Sequence, residues 1–208
     1  MRIERIEASK HKQERILVFL EGGRLLRVTE NELLHFGLHP GLDIDPQVVV
    51  ELEQAGARSE TRVRAANLVS ARPMSKSTLA KKLRDRGASE EDAADAADWL
   101  EELGALDDAA YAALLVRHYS ASGYGAVRIR DELFRRGVAR EYWDAALAEM
   151  PDAGETIRRL LVQKTRAGAP DEKERQRLAS MLLRRGFSWQ EIRPALRELG
   201  EACDEDEP

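Results

Sequence analysis

Three stretches of this chain align without gaps: "STLAKKLRDRGASEED", "VRIRDELFRRGVAREY" and "QRLASMLLRRGFSWQE". Registering Gly87, Gly137 and Gly186, which stand 50 and 49 residues apart, superposes Leu79 with Ile129 and Leu178, and Leu83 with Leu133 and Leu182. It also superposes Arg86, Arg136 and Arg185 immediately before each glycine, Ser89, Ala139 and Ser188 after it, and then Ala93, Trp143 and Ile192. A repeat of this period restricts the fold more than any other feature of the chain. Each copy is too small for more than a modest core and gains stability by stacking on its neighbours.

The repeat has a readable local physics. A helix runs to the arginine, whose charge suits the negative end of the helix dipole. The glycine takes the left-handed C-cap conformation. A small apolar residue follows, then serine as N-cap of a second helix in the first and third copies. That helix buries Ala93, Ala97 and Leu100 in the first copy, Trp143, Ala146, Leu147 and Met150 in the second, and Ile192, Ala195, Leu196 and Leu199 in the third. Each pair follows a further helix, within "RVRAANLVSA", "DDAAYAALLVRHYSA" and "AGETIRRLLVQKTRA". In the middle one, Tyr111, Leu114, Leu115 and His118 share a face, which predicts burial of that face.

Residues before the repeats read differently. "RIERI", "RILVFL" and "RLLRV" are short runs of β-favouring residues, the last two joined through Glu21, Gly22 and Gly23 in a tight hairpin. "TENELLHFG" predicts a short helix with Thr29 as N-cap, Glu32 as its capping-box partner and Gly37 as the stop. A helix then starts near Pro46, with Asp45 as N-cap. The expected fold is mainly α: tandem three-helix repeats in an elongated curved array, with a small β-containing N-terminal module. The expected divisions are a module over 1–58, repeats over 60–106, 107–151 and 153–200, and an acidic tail over 201–208.

Chemistry of the common enzymatic kinds finds no foothold. Gly123 and Gly125 lack the preceding strand and third glycine of a dinucleotide loop, and no Walker lysine follows, so they read as a helix-to-helix turn. His11, His35, His39 and His118 are scattered without metal-ligand spacing, and His118 reads as a packed or half-exposed residue. The single cysteine, Cys203, supports neither an internal disulfide nor a cysteine metal site. No run is apolar enough to span a bilayer and no signal peptide is visible. A cytoplasmic, non-enzymatic protein without cofactor or metal is expected, acting as a monomer.

Charge is the remaining signal. The 208 residues carry a net charge of −5, which argues against a general DNA binder. The sign alternates locally, however. Residues 89–108 are acidic without a Lys or Arg, and the stretch just before holds Lys76, Lys81, Lys82, Arg84 and Arg86. The alternation reads as ordinary solvated faces or as a basic stripe turned toward a polyanion. Later cations gather at Arg128, Arg130, Arg135 and Arg136, then at Arg158, Arg159, Lys164 and Arg166, then at Arg184 and Arg185. Guanidinium arrays suit phosphates or an acidic protein surface, and also helix capping and internal pairing. Tyr124, beside the second array, suits stacking on a base or filling a partner's pocket.

These motifs resemble the RecX family of RecA regulators. The resemblance rests on Arg72, Pro73, Ser75, Leu79, Leu83 and Gly87 in the first repeat, and on Gly125, Ile129, Leu133 and Gly137 in the second. It rests also on Asp107 or Asp108 with Tyr111 and Ala112, and on "FGLHPGLDID", which is like the extension of longer members. The resemblance implies a DNA-repair regulator that lies in the groove of the RecA–single-stranded DNA filament. There it would restrain filament growth, ATP hydrolysis and strand exchange, with single-stranded DNA touched weakly or through RecA. Lys81, Lys82, Arg84, Arg86, the later cations from Arg128 to Arg185 named above and Tyr124 are the candidate contact residues.

Overall fold

A computed structural model describes residues 1–9, 15–165 and 170–204, with residues 200–204 described by backbone alone. The chain forms two compact units. One comprises Met1–Pro73 and Leu79–Leu106; the other comprises Met74–Thr78 and the chain from Asp107 onward.

The first unit opens with an antiparallel sheet of β1 (Ile3–Ala8), β2 (Ile16–Leu20) and β3 (Leu25–Val28), in that order. Gly22 and Gly23 both have positive φ in the β2–β3 turn, as the hairpin requires. α1 (Glu30–His35) carries the expected capping box: the Thr29 amide donates to Glu32 Oε2 at 2.7 Å, and the Glu32 amide to Thr29 Oγ1 at 3.2 Å. α2 (Pro46–Ala71) starts as expected at Asp45 and Pro46. Val49 and Leu52 from it close a core with Ile3, Val18, Leu20, Leu26 and Val28.

α2 runs on for 26 residues, so the division expected after residue 58 falls inside one continuous helix. The glycine there does not stop it. Gly56 is buried, and a Cβ on it would lie 2.7 Å from the Arg27 carbonyl oxygen; its bareness lets the helix approach β3. α3 (Lys76–Arg84) and α4 (Glu90–Glu102) follow, and the division between the two units falls inside α3. α4 packs on α2 through an alanine-rich face in which Ala93, Ala96 and Ala97 are buried.

The second unit continues with α5 (Asp108–Ala121), α6 (Ala126–Arg135), a single 3₁₀ turn at Arg140–Tyr142 and α7 (Trp143–Leu147). These close one core around Ala112, Leu115, Val116, Ile129, Leu133, Val138 and Ala146. α8 (Ala153–Lys164), α9 (Glu172–Arg184) and α10 (Trp189–Asp204) close a separate core around Ile157, Leu161, Leu178, Leu182, Phe187 and Ile192.

The repeat glycines Gly87, Gly137 and Gly186 all take positive φ. After each, the next amide reaches back five residues: Ala88 to Leu83, Val138 to Leu133 and Phe187 to Leu182, at 3.1 to 3.2 Å. This is the Schellman cap that the sequence predicts. Ser89 and Ser188 both accept the amide three residues on. Ala139 has no hydroxyl to do so, and the helix after it frays into the 3₁₀ turn, anchored by Trp143 Nε1 donating to the Val138 carbonyl at 3.0 Å.

The expected buried face of α5 is displaced. Leu114 is 43% exposed and His118 is exposed, while Ala112, Leu115 and Val116 enter the core. This helix is apolar on nearly every side, so periodicity cannot choose the face; the packing of α6 and α7 does.

Candidate functional site

The repeats meet along seams that the shared register makes comparable. Ser75 and Gly125 occupy the same position, twelve residues before their repeat glycines. Each lies against the cap of the following repeat. In the first seam, the hydroxyls of Ser75 and Thr78 both donate to the Arg136 carbonyl, Thr78 at 2.9 Å. Asp108 Oδ1 accepts the Lys76 amide at 2.8 Å and holds the start of α3 in place. In the second seam, backbone amides perform that role: Gly125 donates to the Arg185 carbonyl at 2.9 Å and Val127 to the Gly186 carbonyl at 3.1 Å. In both seams the arginine before the cap therefore offers its carbonyl to the preceding repeat.

Its side chain is engaged as well. Arg185 Nη1 donates to the carbonyls of Ser122 and Gly123, both at 3.1 Å, where α5 ends. Its guanidinium lies 5.5 Å from the centre of the Tyr124 ring. Arg136 donates from Nη2 to the Tyr119 hydroxyl at 2.8 Å, lies 5.3 Å from that ring, and pairs with Glu132 through Nη1. Helix C-terminal carbonyls and aromatic faces are both natural partners of a guanidinium.

Glu132 organises the second array. Its buried carboxylate meets Arg128 at 3.0 Å, Arg135 at 3.5 Å and Arg136, and accepts from the Tyr119 hydroxyl at 3.2 Å. Burial pushes the Glu132 carboxyl up. The hydrogen bond from Arg136, the charges of Arg135 and Arg136 and the Tyr119 hydroxyl outweigh it and hold the group below its ordinary value. Burial alone would lower the Arg136 value, but its hydrogen bonds to Glu132 and Tyr119 raise it. Three guanidinium groups around one carboxylate leave positive charge at the surface of α6, with Arg135 about half exposed.

The candidate residues thus sort by environment. Lys81, Lys82, Arg84 and Arg86 belong to the first unit, where Arg84 pairs with Glu90. Arg128, Arg130, Arg135, Arg136, Arg158, Arg159, Lys164, Arg184 and Arg185 belong to the second. Arg130, Arg158, Arg159, Lys164 and Arg184 are exposed and form no ion pair among the described residues. Arg158 donates from Nε to the Gly154 carbonyl at 3.3 Å. Arg166 lies outside the described residues. Tyr124 is half-buried between Arg185 and the Tyr119 ring, whose centre is 5.8 Å away, so it serves the seam.

Part of the charge alternation is internal pairing. Arg62 meets Asp95 at 2.9 Å and Arg58 meets Asp92 at 3.5 Å, joining α2 to the acidic α4. The sequence reading missed Glu132 as the organiser of the arginines. Its spacing of four from both Arg128 and Arg136 is the signal that finds it.

Two family models match in tandem: RecX, second three-helix domain, over residues 107–147, and RecX, third three-helix domain, over residues 152–196. A regulatory protein RecX of Pseudomonas putida is 39% identical over 125 residues, spanning 59% of this chain and 80% of that protein. A regulatory protein RecX of Lactobacillus delbrueckii subsp. bulgaricus is 31% identical over 213 aligned positions, spanning 99% of this chain and 77% of that protein. The chain belongs to the RecX family. A crystal structure of regulatory protein RecX shares the fold, with a TM-score of 0.75 over 95% of this chain and 98% of that one, at 24% identity.

In RecX terms, α5 to α7 fall in the second three-helix domain and α8 to α10 in the third. The Gly125–Gly186 seam is where the two join. No helix among the described residues is long and apolar enough to cross a membrane.

Proposed function

We propose that this chain binds the RecA–single-stranded DNA filament and restrains its ATP hydrolysis, growth and strand exchange. Membership of the RecX family of regulators carries this reading. The division of labour among the arginines supports it: Arg185 ties two repeats together and Arg136 is held by Glu132 and Tyr119 inside its own repeat, whereas Arg130, Arg159 and Arg184 present charge to solvent. Several weak patches on successive repeats gain avidity against a repeating partner. The deciding experiment is RecA ATPase and strand exchange on single-stranded DNA with this protein added. Inhibition at or below one molecule per RecA protomer is expected; unchanged rates at stoichiometric protein reject the reading.

The same exposed arginines favour one alternative, direct binding of nucleic acid without RecA. Its signature is affinity for single-stranded DNA alone that falls steeply with salt. Salt-independent affinity excludes phosphate contacts.

A further inference from the structure

The first unit contains a cavity of about 750 Å³ between the β2 and α1 region and the faces of α2 and α4. Its volume is that of a small-molecule site. Ile16, Val63 and Trp99 give it apolar walls, and Thr29, Asn31 and Asn67 place polar groups around them.

Arg15 also lines this cavity. It is only 8% exposed, and its Nη1 is shielded from solvent with no hydrogen-bond partner. Among the described residues no carboxylate pairs with it. A buried, unpaired cation is strongly unfavourable unless an acceptor meets it. The other cation in the cavity, Arg62, is already paired with Asp95 and lies 5.4 Å from the centre of the Trp99 ring. The Ser59 hydroxyl is likewise committed, to Glu32. Arg15 is therefore the one cation of the lining that no carboxylate among the described residues neutralises, which suits a single anionic group.

The rest of the lining says what the anion is attached to. Trp99 and Ile16 suit a flat apolar body, and the exposed Glu30 carboxylate suits hydroxyl donors. One anion, a flat ring and hydroxyls together describe a nucleotide with one phosphate. We propose that this cavity binds a nucleoside monophosphate unit, its phosphate on Arg15 and its base against the Trp99 wall. The unit has two possible sources, a free nucleotide or the phosphorylated end of a DNA strand. This inference stands apart from the RecA reading, and its test contains no RecA.

The test is calorimetric titration of the full chain with adenosine 5′-monophosphate, inorganic phosphate, adenosine, and a short oligothymidylate with and without a 5′-phosphate. Binding of the monophosphate is expected, at least tenfold tighter than adenosine. Arg15→Gln is expected to weaken it at least tenfold. Trp99→Leu is expected to weaken the monophosphate tenfold while leaving phosphate within twofold. Tighter binding of the free monophosphate supports the proposal with a free nucleotide as the source. Tighter binding of the 5′-phosphorylated strand supports it with a strand end as the source. The proposal is overturned if neither of these ligands binds at millimolar concentration, if Arg15→Gln binds within twofold of the unaltered chain, or if glutamate displaces the monophosphate as readily as phosphate does. Should Arg15→Gln fail to fold, Asn67→Trp, which adds bulk at an exposed position of the lining, replaces it. Unchanged affinity in that variant overturns the proposal equally.

Discussion

The backbone of Gly125 rests directly on that of Gly186: a Cβ on Gly125 would lie 2.3 Å from the Gly186 carbonyl oxygen and 2.5 Å from its carbonyl carbon. Gly125 has φ of −85°, so the position needs glycine for proximity and not for conformation. Gly125→Ala is expected to destabilise the second unit by about 2–4 kcal/mol, because backbone on both sides leaves nothing flexible to yield. Gly87→Ala is the control. Nothing lies within 4 Å of a Cβ there, and only the φ of +90° is unfavourable, so about 1–2 kcal/mol is expected. Urea unfolding of the two variants measures the difference.

Glu132 makes acid stability a readout of the arginine array. Its folded-state value lies below its ordinary one, so its contribution is present above the ordinary value and is lost as pH falls through the lowered one. Glu132→Gln is expected to cost about 1–3 kcal/mol at pH 7, since Arg136 and Arg128 lose their anion. The gap between variant and unaltered protein should close as pH falls below the ordinary carboxylate range. A gap that stays constant down to the acid transition would show that the charge of Glu132 plays no part.

Neighbouring arginines of α9 and its cap are expected to separate stability from binding. Arg185→Ala removes two hydrogen bonds to the end of α5 and the cover of Tyr124, so its melting temperature should fall by several degrees. Arg184→Glu alters an exposed side chain and should melt within a degree or two of the unaltered protein. If α9 contributes to RecA-filament binding, Arg184→Glu should instead weaken inhibition of the RecA ATPase severalfold. Thermal melts and the ATPase assay on both proteins check the pair.

Ser75 holds the first seam by a buried hydroxyl that accepts from the Thr78 amide and donates to the Arg136 carbonyl. Ser75→Ala is expected to cost about 1–2 kcal/mol, because that amide and carbonyl each lose a partner in a site closed to solvent. Ser77→Ala, an exposed neighbour, is expected to be nearly neutral. Hydrogen exchange at the Thr78 amide localises the effect: faster exchange in Ser75→Ala alone is the expected result.

Much of the local structure was legible in advance. The capping box at Thr29 and Glu32, the start of α2 at Asp45 and the three left-handed repeat glycines follow from contacts within a turn of chain. Short-range hydrogen bonding and φ preference decide such features, and both are properties of a few consecutive residues. The arginines were legible only as a group. Arg184 and Arg185 are adjacent and identical in the sequence, yet one projects to solvent and the other caps α5 some sixty residues earlier in the chain.

The sequence by itself determined the period, the glycine caps of the repeats and the family, because all three are written in residue type and spacing. Tertiary structure alone decided which face of α5 is buried, why Gly56 and Gly125 are glycine, and which arginines remain available to a partner. Each of those depends on an atom brought from another element: the Arg27 carbonyl, the Gly186 carbonyl, the end of α5. Periodicity along one helix carries no information about what stands opposite it, and close packing fixes that only when the elements meet.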